Sequence, residues 1–200
     1  MMLSSVVSLP VSDFPPLAVG FFGLGTGYLI YGPQELFHFP KRAKEIDLGT
    51  GIWGIWMPGF MQFITGILLF VGLVWFHSIV APPLYMAALA FTAYGVHWWA
   101  IGLNRSLGAS ARPNAFMAIA FTFISVLGIV VFAGGSSQDV PVALLFVGLT
   151  CIYVSDIFAS LGMGLGERAL GFFHLLTGLW LMYLTWATAL DFSSAYKLWL

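Results

Sequence analysis

The sequence predicts an all-α, polytopic membrane protein, with six transmembrane helices in one bundle around a narrow pathway. Three observations carry that prediction. Hydrophobic residues make up 60% of the 200-residue chain and charged residues only 8%, with a mean hydropathy of +0.96. A soluble domain carries roughly 25% charged residues. The apolar residues also fall into blocks close to the roughly 20 residues that a bilayer-spanning helix needs. Finally, polar or glycine- and proline-rich punctuation separates the blocks, and no stretch between them is long enough for a second domain. Residues 1–200 therefore read as a single transmembrane domain.

The first span is expected over about Pro16–Phe37, where the Pro15-Pro16 pair suits a helix start. Met1–Ser12 carries no Lys or Arg and no small-residue cleavage site, so insertion is expected to use this first helix. The second span, about Leu48–Phe76, is long, and Pro58 inside it supplies a cause for a kink. The third covers about Pro83–Leu103, after the Ala81-Pro82-Pro83 break. The fourth covers about Asn114–Phe132, after the polar Asn104–Pro113 stretch with its two arginines. The fifth runs over about Val140–Leu161, following the flexible Gly134–Asp139 turn. The sixth runs over about Ala169–Leu190, after a glycine-rich link ending in Glu167-Arg168. Beyond Asp191, Tyr196 and Trp199 suit a membrane interface.

Loop charge predicts orientation. Lys41, Arg42, Lys44, Arg105, Arg112 and Arg168 all fall in loops on one side, and only Lys197 falls on the other. The excess of Lys and Arg on cytoplasmic loops then places both termini outside the cytoplasm. Gly20, Gly23 and Gly27 in the first span, and Gly51, Gly54, Gly59 and Gly66 in the second, read as surfaces for close helix packing.

Several chemistries are excluded. A net charge of −1 gives no electrostatic case for nucleic acid. The single cysteine, Cys151, cannot form an intramolecular disulfide and reads as a small packing residue. One cysteine and four scattered histidines give no zinc spacing, and no phosphate-loop pattern is present. No catalytic residue, metal or cofactor is predicted, and the chain does not read as an enzyme.

What remains is a set of polar groups inside the spans. Leu89–Arg105 carries Thr92, Tyr94 and His97. At 100° per residue Tyr94 and His97 lie together and Thr92 lies on the far flank. Tyr94 and His97 then either face a pathway or bond neighbouring helices, and Thr92 faces a neighbour. Asp156 lies inside the fifth span, where a carboxylate costs about 2.5–3.5 kcal/mol at a helix centre. It must be paired, protonated or wet. His97, His174 and Asp156 are therefore the candidate proton-sensing groups, with Glu35 and His38 near the end of the first span; the alternative is a buried structural hydrogen bond. No Lys or Arg falls inside an expected span, so a crossing solute must use Gln62, Thr65, Tyr94, Thr150, Tyr153, helix N-termini or water. That favours a small solute that is neutral or weakly charged. A haem-binding electron-transfer subunit using His97 and His174 as axial ligands is an alternative from another class, and a non-transporting scaffold is the blandest one.

The motif Ala90-Phe91-Thr92-Ala93-Tyr94-Gly95-Val96-His97-Trp98 resembles the third span of the acetate uptake transporter family, also called the succinate–acetate permeases. That family reads Phe where this chain has His97. Gly59, Gln62 and Gly66 match its second span. Its first-span motif is matched at Pro16, Leu17 and Phe22, but Asp13 and Phe14 stand where it has Asn and Pro. The likeness covers Phe14–Leu190. It implies a homo-hexamer in the cell membrane, with one pathway per protomer for acetate and related small monocarboxylates, as a channel or a proton symporter. It also implies an apolar gate at Phe22, Tyr94 and Leu149, with Gln62 offering hydrogen bonds to the solute. Ala100–Asn104, Gly108 and Arg112 resemble a second family, the urea and short-chain amide channels, whose termini lie outside.

Overall fold

The computed structural model describes residues 15–134, 138–194 and 198–199. Met1–Ser12, Asp13, Phe14, the centre of the Gly134–Asp139 turn, Tyr196 and Lys197 lie outside the described residues. Among the described residues there is no strand, and the chain runs through six continuous helices. These are α1 (Leu17–Phe37), α2 (Lys44–Trp75), α3 (Pro83–Leu107), α4 (Arg112–Ala133), α5 (Val140–Ser160) and α6 (Gly164–Ser194). Five of them, α2 to α6, are long and apolar enough to cross a membrane. The helix α1 is 21 residues long but is not among them. Its glycines and its Pro33-Gln34-Glu35 end dilute its hydropathy.

Helix ends explain where the sequence expectation drifted. The expected end of the third span at Leu103 is overrun, because Asn104, Arg105 and Ser106 stay helical up to Gly108. Gly108 takes φ +66°, the left-handed conformation that only glycine adopts at little cost, and its N–H bonds back to the Arg105 carbonyl. The loop arginine Arg105 is thereby carried into the helix. The expectation that no Lys or Arg lies within a span is corrected here, and likewise at Lys44, Arg112 and Arg168, which fall inside the ends of α2, α4 and α6. At the start of α5 the Asp139 carboxylate accepts the Val142 N–H at 3.0 Å, an N-cap, and Pro141 fills the first turn. Within α2, Ile55–Phe60 widens into a π-helical turn around Pro58, which has no N–H to give to the regular ladder.

The helices close into a ring in chain order, each packed on its sequence neighbours, with α6 returning to α1. Close crossings rest on glycine. A side chain at Gly95 of α3 would strike the backbone of Gly59 and Phe63 in α2, and one at Gly171 of α6 would strike α1 at Gly32 and Leu36. Large apolar side chains such as Phe116, Phe123, Leu179 and Trp186 cover the outside. The buried aromatic core, with Tyr28, Tyr94, Trp98 and Tyr153 at its centre, fills the inside of the ring.

Candidate functional site

Three stripes of side chains at helical spacing face the inside of the ring. On α1 the stripe is Leu17, Phe21, Leu24, Tyr28, Tyr31 and Glu35. On α3 it includes Phe91, Tyr94, His97, Trp98, Ile101 and Arg105, and on α5 Leu145, Leu149, Tyr153, Asp156 and Ser160. Each stripe steps by three or four residues, with His97 and Trp98 side by side on α3, and runs from apolar at one end to polar at the other. They enclose two cavities. The apolar vestibule, about 50 Å³, is lined by Leu17, Phe21, Phe91, Leu145 and Leu149, with Gln62 and Tyr94. The polar vestibule, about 170 Å³, is lined by Tyr31, Glu35, His97, Arg105, Asp156 and His174.

An aromatic plug separates them. Tyr94, on the apolar side, stacks on Tyr153, on the polar side, with ring centroids 5.5 Å apart. Phe121 of α4 packs on both rings, 5.4 Å from Tyr94 and 5.2 Å from Tyr153. Hydrogen bonds fix the plug on either side. The Tyr94 hydroxyl lies 3.0 Å from Ser125 Oγ, and the Tyr153 hydroxyl lies 3.2 Å from His97 Nδ1. Tyr94 and His97 thus do both things allowed by their spacing, lining a cavity and bonding across helices. Thr92 bonds its own helix at the Ala88 carbonyl, 2.8 Å away, and sits against Gly66 of α2.

The remaining candidates fall as follows. Leu149 is buried in the wall of the apolar vestibule. Gln62 is fully buried there, and neither amide atom has a hydrogen-bond partner among the described residues. Phe22 is not in the lumen. It is 42% exposed on the outside of α1, while Phe21 is buried against Phe91 with centroids 5.6 Å apart. Adjacent residues on a helix point about 100° apart, so a shift of one position moves the aromatic ring from outside to inside. Asp156 accepts the Ser160 hydroxyl at 2.7 Å, and His174 Nδ1 meets Glu35 Oε2 at 2.5 Å beneath a stacked Tyr28 ring.

The mouth of the polar vestibule holds an ion network that crosses three helices. Asp47 of α2 pairs with Arg105 of α3 at 3.1 Å and with Arg42 of the preceding loop at 3.0 Å. Arg105 also donates to Gln34 of α1, whose own amide donates to Thr50 at 2.8 Å. The sequence placed Arg105 in a loop, so this cluster was not foreseen. Its signal was present, since Arg105 continues the Tyr94–Trp98–Ile101 stripe by one more turn. Among the described residues no group of His, Cys, Asp and Glu is arranged to hold a metal ion.

These features define a membrane-spanning helical protein with an interrupted lumen. The architecture is similar to a solved structure of the bacterial acetate channel SatP, with a TM-score of 0.69 and 20% identity over 92% of this chain and 96% of that one. The chain thus shares its fold with that channel, the fold that the third-span resemblance implied. No protein-family model matches the chain, and no curated sequence matches it.

Proposed function

We propose that the chain is a membrane channel through which acetate and related small monocarboxylates pass. One observation carries the reading: two cavities lie in one helical ring, and a single layer of aromatic side chains separates them. The fold shared with an acetate channel supports the choice of solute. In this reading α1 completes the set of six spans, because without it the ring is open between α2 and α6. Tyr94, Leu149 and Phe21 form the gate, with Phe21 taking the place expected of Phe22. Gln62, whose amide has no partner among the described residues, offers hydrogen bonds to the solute. His97, Asp156 and His174 supply the pH dependence of a proton-linked flux. In this reading the polar vestibule faces the cytoplasm across the cell membrane, and Arg42 and Arg105 at its mouth support that orientation. The working assembly is a homo-hexamer with one pathway per copy.

Radiolabelled acetate and urea, offered side by side to proteoliposomes across pH, test this reading. Acetate entry that rises as pH falls is expected. Urea entry without acetate entry would overturn it in favour of an amide channel.

A further inference from the structure

Beyond the plug, the α5 stripe continues from Tyr153 to Asp156, one turn further into the polar vestibule. Asp156 is 9% exposed, and one of its carboxylate oxygens accepts the Ser160 hydroxyl at 2.7 Å. The other oxygen has no hydrogen-bond partner among the described residues and keeps access to the cavity. No ion pair reaches this carboxylate among the described residues. A buried acceptor that faces a cavity without a partner calls for a donor.

Two more bases line the same cavity. Glu35 of α1 and His174 of α6 meet at 2.5 Å beneath the Tyr28 ring. A nitrogen and an oxygen at that separation need a proton between them, whichever of the two carries it. Asp156, His174 and Glu35 belong to α5, α6 and α1, which follow one another around the ring. The other ionisable groups of the cavity are occupied elsewhere. Arg105 of α3 and Arg42 of the loop before α2 both pair with Asp47. His97 of α3 bonds Tyr153 through Nδ1, and its other nitrogen is closed off from the cavity, so it belongs to the plug. From α4 only Asn114 reaches the lining, and Glu167 lies in the first turn of α6. The tyrosine phenols stay protonated near neutral pH. Two carboxylates and one imidazole in about 170 Å³ do not exchange protons independently of one another.

We infer that Asp156, Glu35 and His174 form one proton-binding site that takes the proton of the solute acid on the polar side of the plug. The inference rests on the monocarboxylate reading above and assigns the proton acceptor of that flux. A neutral acid that has crossed the plug meets the open Asp156 oxygen as the nearest base on the α5 stripe. The acid's O–H bond breaks, an O–H bond forms on Asp156, and the solute leaves as its carboxylate. The proton stays within the shared site until water at the mouth removes it. Protonation also removes the negative charge that Asp156 would turn toward the departing anion.

Two measurements on the full-length protein test the site. The first needs no solute. ¹⁵N-histidine spectra in detergent follow the His174 ring across pH, with His174→Gln assigning its signals. Asp156→Asn should move the midpoint of that titration by about one pH unit or more, the scale of interacting sites. Asn keeps the size of the side chain and a bond to Ser160, so its Tm should stay close to that of the parent. An unmoved midpoint in a folded Asp156→Asn protein overturns the shared site. The second is the initial rate of radiolabelled acetate entry into proteoliposomes of one orientation, corrected for protein-free vesicles. The pH on the apolar side is held fixed while that on the polar side is lowered. Filling the site should slow entry several-fold in the parent and leave Asp156→Asn unaffected. Entry whose dependence on that pH survives Asp156→Asn overturns the acceptor while the channel reading stands. A moved midpoint with no acetate entry in the parent overturns the channel reading, and the acceptor role falls with it.

Discussion

The two vestibules share walls from the same three helices yet present opposite surfaces to a solute. On the apolar side, α1, α3 and α5 contribute Phe21, Phe91 and Leu145 around about 50 Å³. On the polar side the same helices contribute Glu35, Arg105 and Asp156 around about 170 Å³. The change occurs within one helical turn of Tyr94 and Tyr153. A hydrated anion meets no fixed cation in the apolar vestibule, so that side favours shedding water or entering as the neutral acid. The polar side offers donors and ions that compensate the lost hydration. Under the proposed channel reading, the division assigns selection by size and dryness to one side of the plug and capture to the other.

The comparison breaks most severely at the plug itself. Tyr94→Ala removes the ring that stacks on Tyr153 and the hydroxyl bonded to Ser125. A stability loss of about 3–5 kcal/mol is expected for deleting a buried aromatic side chain. Butyrate uptake relative to acetate should rise by at least about tenfold, the scale on which pockets discriminate methylenes. Denaturation in detergent and competitive flux assays measure the two effects, and an unaltered selectivity would count against the plug as gate.

A sharper cut compares neighbours on α1. Phe21→Ala opens the apolar vestibule and should lower stability by about 3 kcal/mol while loosening selectivity. Phe22→Ala changes a side chain that is 42% exposed on the outer surface and should leave selectivity as it was. The reverse ranking in flux assays would place the lumen on the other face of α1.

On the polar side, Asp156→Asn keeps the size of the side chain and a hydrogen bond to Ser160 while removing the charge. The protein should fold, its flux–pH profile should flatten, and half-saturation for acetate should fall several-fold, since a carboxylate facing the same cavity is gone. An unchanged pH profile would remove Asp156 from the proton-linked step.

The smallest effect is expected at Asp139, which lines the edge of the apolar vestibule and caps α5. Burial raises its pKa above the ordinary carboxylate value, and the bond from the Val142 N–H opposes that shift. A carboxyl whose folded pKa is raised stabilises the fold when protonated. Its contribution is complete below the unfolded value of about 3.9 and is lost as pH rises through the folded value. Asp139→Asn keeps the cap, so Tm should lose a shallow decline with rising pH just above that range. Identical Tm–pH curves for the two proteins would refute the assignment.

Much of the fold was legible in the sequence because each bilayer crossing demands a long apolar block and each break between blocks is punctuated. Pro58 announced the disturbed turn in α2, and Phe91–Trp98 announced the central helix of the lumen. Two things were obscured. Hydropathy ends a helix where polar residues begin, so Asn104–Ser106 read as a loop, although backbone bonding carries α3 to the Gly108 cap. Arg105 and its partners Asp47 and Gln34 were hidden for that reason, since their contacts join residues far apart in sequence. The first-span motif put Phe22 at the expected gate, whereas the structure buries Phe21 in the wall of the apolar vestibule and leaves Phe22 on the outside. The spacing Leu17, Phe21, Leu24, Tyr28, Tyr31 would have corrected it, because this stripe stays on one face and Phe22 lies off it. Asp156 and His97 stood out by chemistry alone, whereas their partners Ser160 and Tyr153 needed the structure.

Sided thiol labelling tests the central claim most directly. In a Cys151→Ala background, which removes the chain's single cysteine, Leu145→Cys and Ser160→Cys place one thiol in each vestibule. A membrane-impermeant maleimide applied to one face of sealed vesicles should modify one variant and spare the other, and the preference should invert when the reagent is applied to the opposite face. Labelling of both thiols from the same side would contradict a pathway divided by the Tyr94–Tyr153 layer.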